Sequence, residues 1–292
     1  MQLGLFKEYD KTAVEPPNRQ LLKWIGNKHR FAAEIVSWFP RKFERYFEPF
    51  LGSGAVLATL APAYGLGSDV FRPLVEIWQE LVRNPDSVKA WYEERWNLLL
   101  HSDKVSAYEQ IKASYNRCPN GADLLFLCRS CYGGVVRFRK SDGHMSTPCG
   151  VHQPISPKAF NTRVDEWHLR SRDCTFDVLD YREAMNMARD GDFVYCDPPY
   201  HHSQSILYGA QAFNLLELLK AISDCKHRGV FVALSIDGTK KSGGLFCDLP
   251  VPVGLFEREV YVNCGRSMLR RFQMNGKTLE SEQVSDRLLL TF

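Results

Sequence analysis

Gly191-Asp192-Phe193-Val194-Tyr195-Cys196-Asp197-Pro198-Pro199-Tyr200 is the stretch that best indicates how this chain folds. A short apolar strand, Phe193 to Cys196, has to end at Asp-Pro-Pro-Tyr because two consecutive prolines cannot donate β-ladder hydrogen bonds. The strand end therefore holds a carboxylate, a stiff backbone and an aromatic ring together. Ligands bind at such ends in open α/β sheets, so the stretch predicts a pocket for a flat base with an exocyclic amine. An ordinary surface turn is the alternative, since Asp-Pro and Pro-Pro are common turn pairs.

The overall composition is that of a globular protein. The 292 residues are 45% hydrophobic and 24% charged, which is enough chain for one large domain or two modest ones. A net charge of +3 permits a nucleic-acid partner without arguing for one, because local clustering matters more than the sum. The sequence shows no apolar run long enough for a membrane helix and no signal-peptide pattern. The nine scattered cysteines are typical of reduced thiols, so we expect a cytoplasmic protein.

A glycine turn follows the first predicted strand. Gly52-Ser53-Gly54 leads into a helix that runs to about Leu60, and the glycines let a ligand approach the backbone closely. Leu57 stands where a dinucleotide fingerprint requires Gly or Ala, which disfavours a nicotinamide enzyme. Asp69 follows the second predicted strand and is well placed to accept both hydroxyls of a ribose. Capping of the helix that begins near Arg72 is the competing role for Asp69.

Lys23-Trp24-Ile25-Gly26-Asn27-Lys28 precedes a helical pattern from His29 to Phe39. A Gly-Asn pair ahead of a helix leaves backbone N–H groups exposed beside Lys28, which suits an anionic ligand group. Taken alone, these residues favour a simpler interpretation, with Lys28 solvated and Trp24 in the core.

Residues 73–175 differ in character from the rest of the chain. Their aromatic residues lie in helical patterns, a further helix is predicted over about Val105 to Asn116, and strongly alternating strands are missing. We therefore expect an inserted, mostly helical domain.

The most basic segment of the chain lies inside this region. Asp142-Gly143 between Phe138 and Met145 predicts a hairpin turn. Near the turn, Arg137, Arg139 and Lys140 could reach phosphates or read base edges in a groove. A solvated hairpin tip is the alternative.

Four residues have the spacing of zinc-ribbon ligands: Cys128, Cys131, Cys149 and His152. The predicted hairpin occupies the gap between the two pairs, and we expect the thiols to serve packing and the protein to hold no metal. A zinc site is the alternative.

Alternating strands and helices resume after Thr175. Helices are predicted over Tyr181 to Arg189 and about Phe213 to Cys225, and strands near Phe176 to Asp180, Gly229 to Ser235, Val260 to Val262 and Leu288 to Phe292. This alternation predicts a largely parallel, doubly wound α/β sheet.

Taken together, the motifs resemble those of Dam-type (D12 class, α-group) DNA adenine-N6 methyltransferases. Lys23 to Lys28, Phe47-Glu48-Pro49-Phe50-Leu51-Gly52-Ser53-Gly54 and Asp197-Pro198-Pro199-Tyr200 occur in that family's order. Leu127 to Arg137 is similar to the Asn-Arg-Thr-Cys-Phe-Asn-Gly-Leu-Tyr-Arg stretch of its recognition domain. The departures are Asn27 for glycine, Cys128 and Gly133 for asparagines, and Ser235-Ile236-Asp237 for Ser-Asn-Asp. They affect the target sequence more than the chemistry.

The resemblance implies a class I, Rossmann-like fold that uses S-adenosylmethionine and contains an inserted target-recognition domain. On that map, residues 1–72 and 176–292 form the two parts of the catalytic domain, and residues 73–175 form the recognition domain with its DNA-contacting hairpin. The implied cofactor-binding residues are Trp24, Lys28, Glu48, Phe50, Gly52, Gly54, Asp69 and Asp197. The implied catalytic residues are Asp197, Pro198 and Tyr200, and the implied DNA-binding residues are Arg129, Arg137, Arg139 and Lys140.

Adenine chemistry suggests how the implied site would work. The N6 lone pair is delocalised into the ring, so N6 is a poor nucleophile. If Asp197 and the Pro198 carbonyl each accept an N6–H, the amine is steered towards a tetrahedral geometry and its developing positive charge is stabilised. Tyr200 would stack on the base. The adenine has to be flipped out because N6 cannot be reached in this way inside a duplex.

Other activities are open at this point. They are N4-cytosine, RNA or protein-amide methylation, and a catalytically inactive DNA-binding relative. The expected partner is double-stranded DNA, without a membrane, and the expected state is a monomer or weak dimer. A cognate restriction endonuclease is a candidate partner, beside a phage-defence or regulatory role, and GATC is the family-level expectation for the target.

Overall fold

A computed structural model describes residues 16–199, 213–237, 251–266 and 283–292 of the chain. Within these ranges seven strands form one sheet in the order β3-β2-β1-β4-β5-β7-β6. Strands β1 to β5 pair in parallel, and β7 runs antiparallel to both of its neighbours. The strands are β1 Tyr46–Glu48, β2 Gly65–Ser68, β3 Cys174–Asp177, β4 Phe193–Cys196, β5 Phe231–Asp237, β6 Arg258–Arg266 and β7 Gln283–Leu290. The expectation of a largely parallel α/β sheet is confirmed.

The middle of the sheet is built from apolar runs. Every residue of β1 and of β4 is buried, as is typical of parallel strands covered on both faces. Strand order reverses between these two strands, because β1 pairs with β2 on one side and with β4 on the other. Loops that leave β1 and β4 therefore diverge at a switch point, where open α/β sheets bind ligands.

Helices cover the sheet and fill the long segment between β2 and β3. They are α1 Ala32–Ser37, α2 Ala55–Leu60, α3 Arg72–Arg83, α4 Pro85–Asn97, α5 Lys104–Arg117, α6 Gly121–Ser130, α7 Pro157–Ser171, α8 Tyr181–Asn186 and α9 Leu215–His227. Asp103, Asn120 and Ser156 cap α5, α6 and α7 with side-chain oxygens, so each start follows from a local capping residue. Described residues contain no helix that is long and apolar enough to cross a membrane.

The helical segment between β2 and β3 shares its core with the sheet. Trp78 of α3 stacks on Phe176 of β3, with ring centroids 6.0 Å apart, and lies 5.6 Å from Trp167 of α7. Helix α3 thus packs against the sheet as well as against α4 and α6. The predicted boundary at residue 73 falls inside this shared packing, and the domain limits stay a prediction.

A short segment near the start of the chain, residues 19–21, is tied to the helical segment. We call it the strap. Its backbone carbonyls accept hydrogen bonds from Arg129 of α6 and from Arg163 and Trp167 of α7, at 2.6–3.1 Å. The strap leads directly into the Trp24 to Lys28 segment, so α6 and α7 contribute to placing the Trp24 to Lys28 segment.

The predicted helix from His29 to Phe39 is shorter in the structure, where α1 begins at Ala32. The Asn27 side chain accepts the His29 N–H at 2.8 Å, and Phe31 N–H bonds to the Lys28 carbonyl. This Asx turn satisfies the backbone without a helix, which explains the late start. The predicted hairpin turn is confirmed: Phe138 and Met145 form a bridge, and Gly143 has a φ of 70°.

Candidate active site

A cavity of about 270 Å³ opens where β1 and β4 end. Most of the residues predicted for the cofactor and for catalysis line it: Trp24, Lys28, Glu48, Phe50, Gly52, Asp69, Asp197 and Pro198. These residues come from three separate sequence motifs and, in the case of Asp69, from the end of β2, and the sheet topology brings them together. Tyr200 lies outside the described residues.

Lys28 and Asp197 form a buried ion pair at the centre of the site. Lys28 Nζ lies 2.8 Å from Asp197 Oδ1 and 3.4 Å from Oδ2 of Asp286 on β7. Burial by itself would lower the pKa of Lys28, but Asp197 and then Asp286 hold it above its usual value. Lys28 is therefore a fixed cation beside the Asp-Pro-Pro turn. The interpretation of Lys28 as a solvated lysine is wrong, because its side chain is only 5% exposed.

The glycine turn is held open towards the cavity. Gly52 and Gly54 have φ values of 47° and 60°, which side chains with a Cβ rarely adopt. The Gly52 carbonyl accepts a hydrogen bond from Trp78 Nε1 at 3.2 Å, and a Cβ on Gly52 would lie 3.3 Å from the Trp24 ring. Gly54 precedes α2 directly and packs on Trp78. The turn thus exposes backbone next to Trp24.

Asp69 joins the end of β2 to this turn. One carboxylate oxygen accepts the Gly52 N–H at 3.2 Å, and the other accepts the Phe71 N–H at 3.1 Å. The second bond lies at the start of α3, whose first helical residue is Arg72. Asp69 therefore braces the helix start while it also lines the cavity, and the two roles weighed from the sequence are compatible.

Glu48 is a second acid on the same cavity, in a different environment. It is 3% exposed and accepts a 2.6 Å hydrogen bond from the Tyr46 hydroxyl. Burial, reinforced by the nearby Asp197 carboxylate, raises the pKa of Glu48 to about 8 even though the Tyr46 hydrogen bond opposes the shift. The Glu48 carboxyl is thus mainly protonated at neutral pH.

An aromatic wall of Phe50, Tyr181 and Phe213 closes one side of the cavity, and of these three only Phe50 was predicted from the sequence. Phe50 stacks on Tyr181, with centroids 5.2 Å apart at an angle of 24°, and Phe213 lies edge-on to Phe50 at 5.9 Å. The Tyr181 hydroxyl is buried and has no hydrogen-bonding partner among the described residues. Asp180 and Arg182 flank Tyr181 on the lining. In the sequence, the only indication that residues 180–182 belong to the site is their position shortly after a short strand.

The basic residues predicted to contact DNA fall into two groups. Arg129 is 6% exposed, and its Nη1 donates to the carbonyls of Gln20 and Leu21. A contact between Arg129 and DNA was predicted from the sequence. Such a contact needs an exposed side chain, and Arg129 is buried. Arg137 and Lys140 are exposed on the hairpin, and in the part of the chain that the structure describes their side chains make no hydrogen bond or ion pair.

Arg139 is exposed on the same hairpin but is paired within it. Its guanidinium contacts Asp142 at 2.6 Å and His144 Nδ1 at 3.1 Å. These bonds stiffen the turn that presents Arg137 and Lys140.

The candidate zinc ligands do not assemble. The Cys128 thiol bonds to the Leu125 carbonyl and the Cys131 thiol to the Cys128 carbonyl, within and at the end of α6. Burial raises the pKa of Cys128 to about 11 and that of Cys131 to about 12. No cluster of three or more His, Cys, Asp or Glu side chains that could hold a metal ion occurs in the ranges 16–199, 213–237, 251–266 and 283–292.

Comparison with known proteins adds an independent observation. A family model described as D12 class N6 adenine-specific DNA methyltransferase matches residues 24–247. Type II methyltransferase M1.LlaDCHI of Lactococcus lactis subsp. cremoris is 25% identical over 252 residues, which cover 80% of this chain and 86% of that protein. Retron Ec67 DNA adenine methylase of Escherichia coli is 30% identical over 187 residues, 62% of this chain and 63% of that protein. DNA adenine methylase of Serratia marcescens is 32% identical over 190 residues, 63% of this chain and 67% of that protein.

Proposed function

This chain belongs to the D12 class of N6 adenine-specific DNA methyltransferases, and we propose that it methylates N6 of a flipped-out adenine in duplex DNA. The observation that carries the proposal is the position of Asp197. Its carboxylate lines the same cavity as Gly52 and Asp69, at the switch point of the sheet. An acid that accepts from the target amine and a turn that receives a cofactor therefore meet in one space.

S-adenosylmethionine is the proposed cofactor, and the cavity suits it. The Asp69 carboxylate can accept ribose hydroxyls, and Gly52 lets the methionine part approach the backbone. The stacked Phe50 and Tyr181 rings offer a surface for the adenine ring of the cofactor, beside a Tyr181 hydroxyl that no described residue partners. Trp24 supplies a further apolar wall. When bound, S-adenosylmethionine supplies the methyl group from its sulfonium.

The chain's own residues would activate the amine by accepting hydrogen bonds from it. Asp197 and the Pro198 carbonyl would each accept a hydrogen bond from one N6–H, so that the lone pair turns towards the cofactor and the developing positive charge faces a carboxylate, which can receive the one proton that the methylated amine releases. Lys28, at 2.8 Å, keeps the Asp197 carboxylate ionised and holds its orientation. Tyr200 would stack on the flipped base. Positioning supplies much of the acceleration.

Duplex DNA is proposed to dock on the hairpin that carries Arg137 and Lys140. Both side chains are exposed, and the Asp142-Gly143 turn projects them from the helical segment. Arginine and lysine at such a tip contact phosphates and base edges. We assign Arg129 the role of holding the strap.

A restriction–modification setting is the proposed cellular context, because one relative is a type II methyltransferase. On that basis a cognate restriction endonuclease is a proposed partner, and the enzyme is proposed to act as a monomer or weak dimer.

The first test replaces Asp197 with alanine. Asp197→Ala should lower methyl transfer to N6 at least about a hundredfold, because the acceptor for the amine is gone. The variant should fold and bind DNA, since Lys28 keeps Asp286 as a partner. Transfer is measured with labelled S-adenosylmethionine and duplex DNA, and digestion to nucleosides separates N6-methyladenine from N4-methylcytosine.

Asp224→Ala, at an exposed position on α9, is the matched control and should leave transfer unchanged. Wild-type activity in Asp197→Ala would remove the catalytic assignment. Failure of the wild-type protein to label any adenine-containing duplex while cofactor is bound would overturn the function itself.

A further inference from the structure

A row of aromatic rings joins the hairpin to the wall of the cavity. The ring of Phe71, just before α3, lies 6.2 Å from that of Trp24 and 5.4 Å from that of Phe138. Trp24 lines the cavity, whereas Phe138 lies on the hairpin. Phe71 therefore packs against both parts of the site, although neither Phe71 nor Phe138 is one of the described residues that line the cavity.

Phe71 is also tied to the glycine turn through Asp69. The Asp69 carboxylate accepts the Phe71 N–H at 3.1 Å with one oxygen and the Gly52 N–H at 3.2 Å with the other. Gly52 in turn packs closely on Trp24, since a Cβ on Gly52 would lie 3.3 Å from that ring. These four residues form a closed set of contacts at the cavity wall, in which Phe71 takes part with its backbone and with its ring.

The base of the hairpin holds the outer end of this row in place. Phe138 forms a bridge with Met145, and the Asn116 side chain of α5 accepts the Met145 N–H at 2.7 Å and donates to its carbonyl at 3.1 Å. The Tyr115 ring of α5 lies 6.3 Å from the Phe138 ring. Because these contacts restrain Phe138, its ring supports Phe71 from the side of the hairpin.

We propose that Phe71 and Phe138 are positioning residues for S-adenosylmethionine, because the hairpin ring holds Phe71 against the cavity wall. Phe71 in turn keeps Trp24 and Asp69 in the arrangement that receives the cofactor. This inference rests on the proposed function and extends it, since an element assigned to DNA then sets the affinity for the cofactor. A packed aromatic pair contributes enough free energy to change a dissociation constant about threefold to tenfold.

The competing explanation is that the two rings only stabilise the fold. Their loss would then lower the melting temperature and leave the affinity for the cofactor unchanged. A double-mutant cycle adds a second distinction. If Phe138 acts through Phe71, Phe138→Leu should weaken cofactor binding in the wild-type background and have little further effect in a Phe71→Leu background. Independent effects would multiply instead.

The experiment measures the Kd for S-adenosylmethionine by calorimetry, on the full chain without DNA, together with the melting temperature of each variant. We expect Phe71→Leu to raise this Kd at least about fivefold and Phe138→Leu at least about threefold. The double variant should bind within about twofold of Phe71→Leu. Phe71→Tyr keeps the ring and should bind within about twofold of wild type.

Two controls separate the rings from general effects. Phe231 is also half-buried and lies edge-on to Phe292 at 5.5 Å, at the start of β5 and thus at the opposite edge of the sheet from the cavity. Phe231→Leu should leave the Kd within about twofold of wild type. Arg137→Ala combined with Lys140→Ala removes charge from the same hairpin but keeps both rings, and it should also leave the Kd unchanged.

A smaller rise of the Kd in Phe71→Leu or in Phe138→Leu overturns the inference, as does a double variant whose loss is the product of the single losses. An equal loss in Phe231→Leu or no binding by Phe71→Tyr has the same consequence. Should Phe71→Leu fail to fold, as judged by its melting curve, Phe71→Met takes its place under the same criteria. A wild-type protein that binds no S-adenosylmethionine refutes the proposed cofactor instead, and with it this extension.

Discussion

Two acidic side chains face one cavity under different conditions. Asp197 has an ammonium at 2.8 Å, whereas Glu48 is buried, lies near the Asp197 carboxylate and accepts a hydrogen bond from the Tyr46 hydroxyl. The first environment favours the charged form and the second the neutral form. The cavity therefore offers one carboxylate and one carboxylic acid at neutral pH.

The raised pKa of Glu48 predicts a pH-dependent contribution to stability. A carboxyl whose folded pKa exceeds its unfolded value contributes stability that is fully present below about 4.5 and is lost as the pH rises through about 8. Relative to Glu48→Gln, the wild-type free energy of unfolding should fall across that window, by up to about 1.4 kcal/mol per pH unit. Urea unfolding at several pH values, without cofactor, measures it.

Glu93→Gln on an exposed face of α4 is the control, and its difference from wild type should stay constant with pH. A constant difference for Glu48→Gln as well would refute the burial argument.

Lys28 shows the limit of residue-level reasoning from sequence. Its neighbours Gly26 and Asn27 suggested an anionic ligand, and the structure instead shows two carboxylates of the chain itself. The position of Asp286 beside Lys28 could not be predicted from the sequence, because only the pairing of β7 with β5 brings the two residues together.

At the scale of elements, the central strands β4 and β5 were predicted closely, whereas β7 begins five residues before the predicted strand at Leu288. The prolines that follow Cys196 end β4 where the sequence predicted, and the buried apolar run of β5 is displaced by only two residues. Helix starts were less predictable, as α1 shows, because a single Asn27 side chain replaces a helical turn. The antiparallel direction of β7 could not be derived from its composition, since a buried run such as Leu288-Leu289-Leu290 suits either direction.

The hairpin is an element whose role can be tested by salt dependence. Arg137→Ala combined with Lys140→Ala should weaken DNA binding and reduce the slope of log K against log salt concentration by about 2, because each phosphate contact contributes roughly 0.9. Cofactor affinity should not change, because neither residue lines the cavity. Binding titrations at several salt concentrations measure the slope.

Lys158→Ala combined with Lys220→Ala removes the same charge from exposed positions on α7 and α9. An equal loss of slope in that control would show that net charge, and not the hairpin, governs binding.

At the scale of the whole molecule, the cavity is lined by residues that lie far apart in the sequence. Three motifs, Asp69 and the aromatic wall line it together, so a bound ligand contacts several elements at once. A ligand that binds only the folded state stabilises the fold by mass action.

S-adenosylmethionine at about a hundred times its Kd should therefore stabilise the protein by about 2.7 kcal/mol, or roughly 5–10 °C in melting temperature. Asp69→Ala should lose most of that shift, because the proposed ribose acceptor is gone and the Gly52 turn loses its brace. Thermal unfolding with and without cofactor measures both, with Asp173→Ala, an exposed acid, as the control. An undiminished shift in Asp69→Ala would contradict the assignment.

The strap has a consequence for biosynthesis. Leu21 and Arg129 are 108 positions apart in the chain, and Arg19 and Trp167 are 148 apart. A ribosome that adds about 5–20 residues per second needs roughly 7–30 s to cover the longer distance. Until then the strap lacks its donors on α7, Arg163 and Trp167, and the segment that carries Lys28 lacks that part of its support. A nascent or truncated chain that stops short of α7 thus carries the first motifs but no assembled catalytic centre.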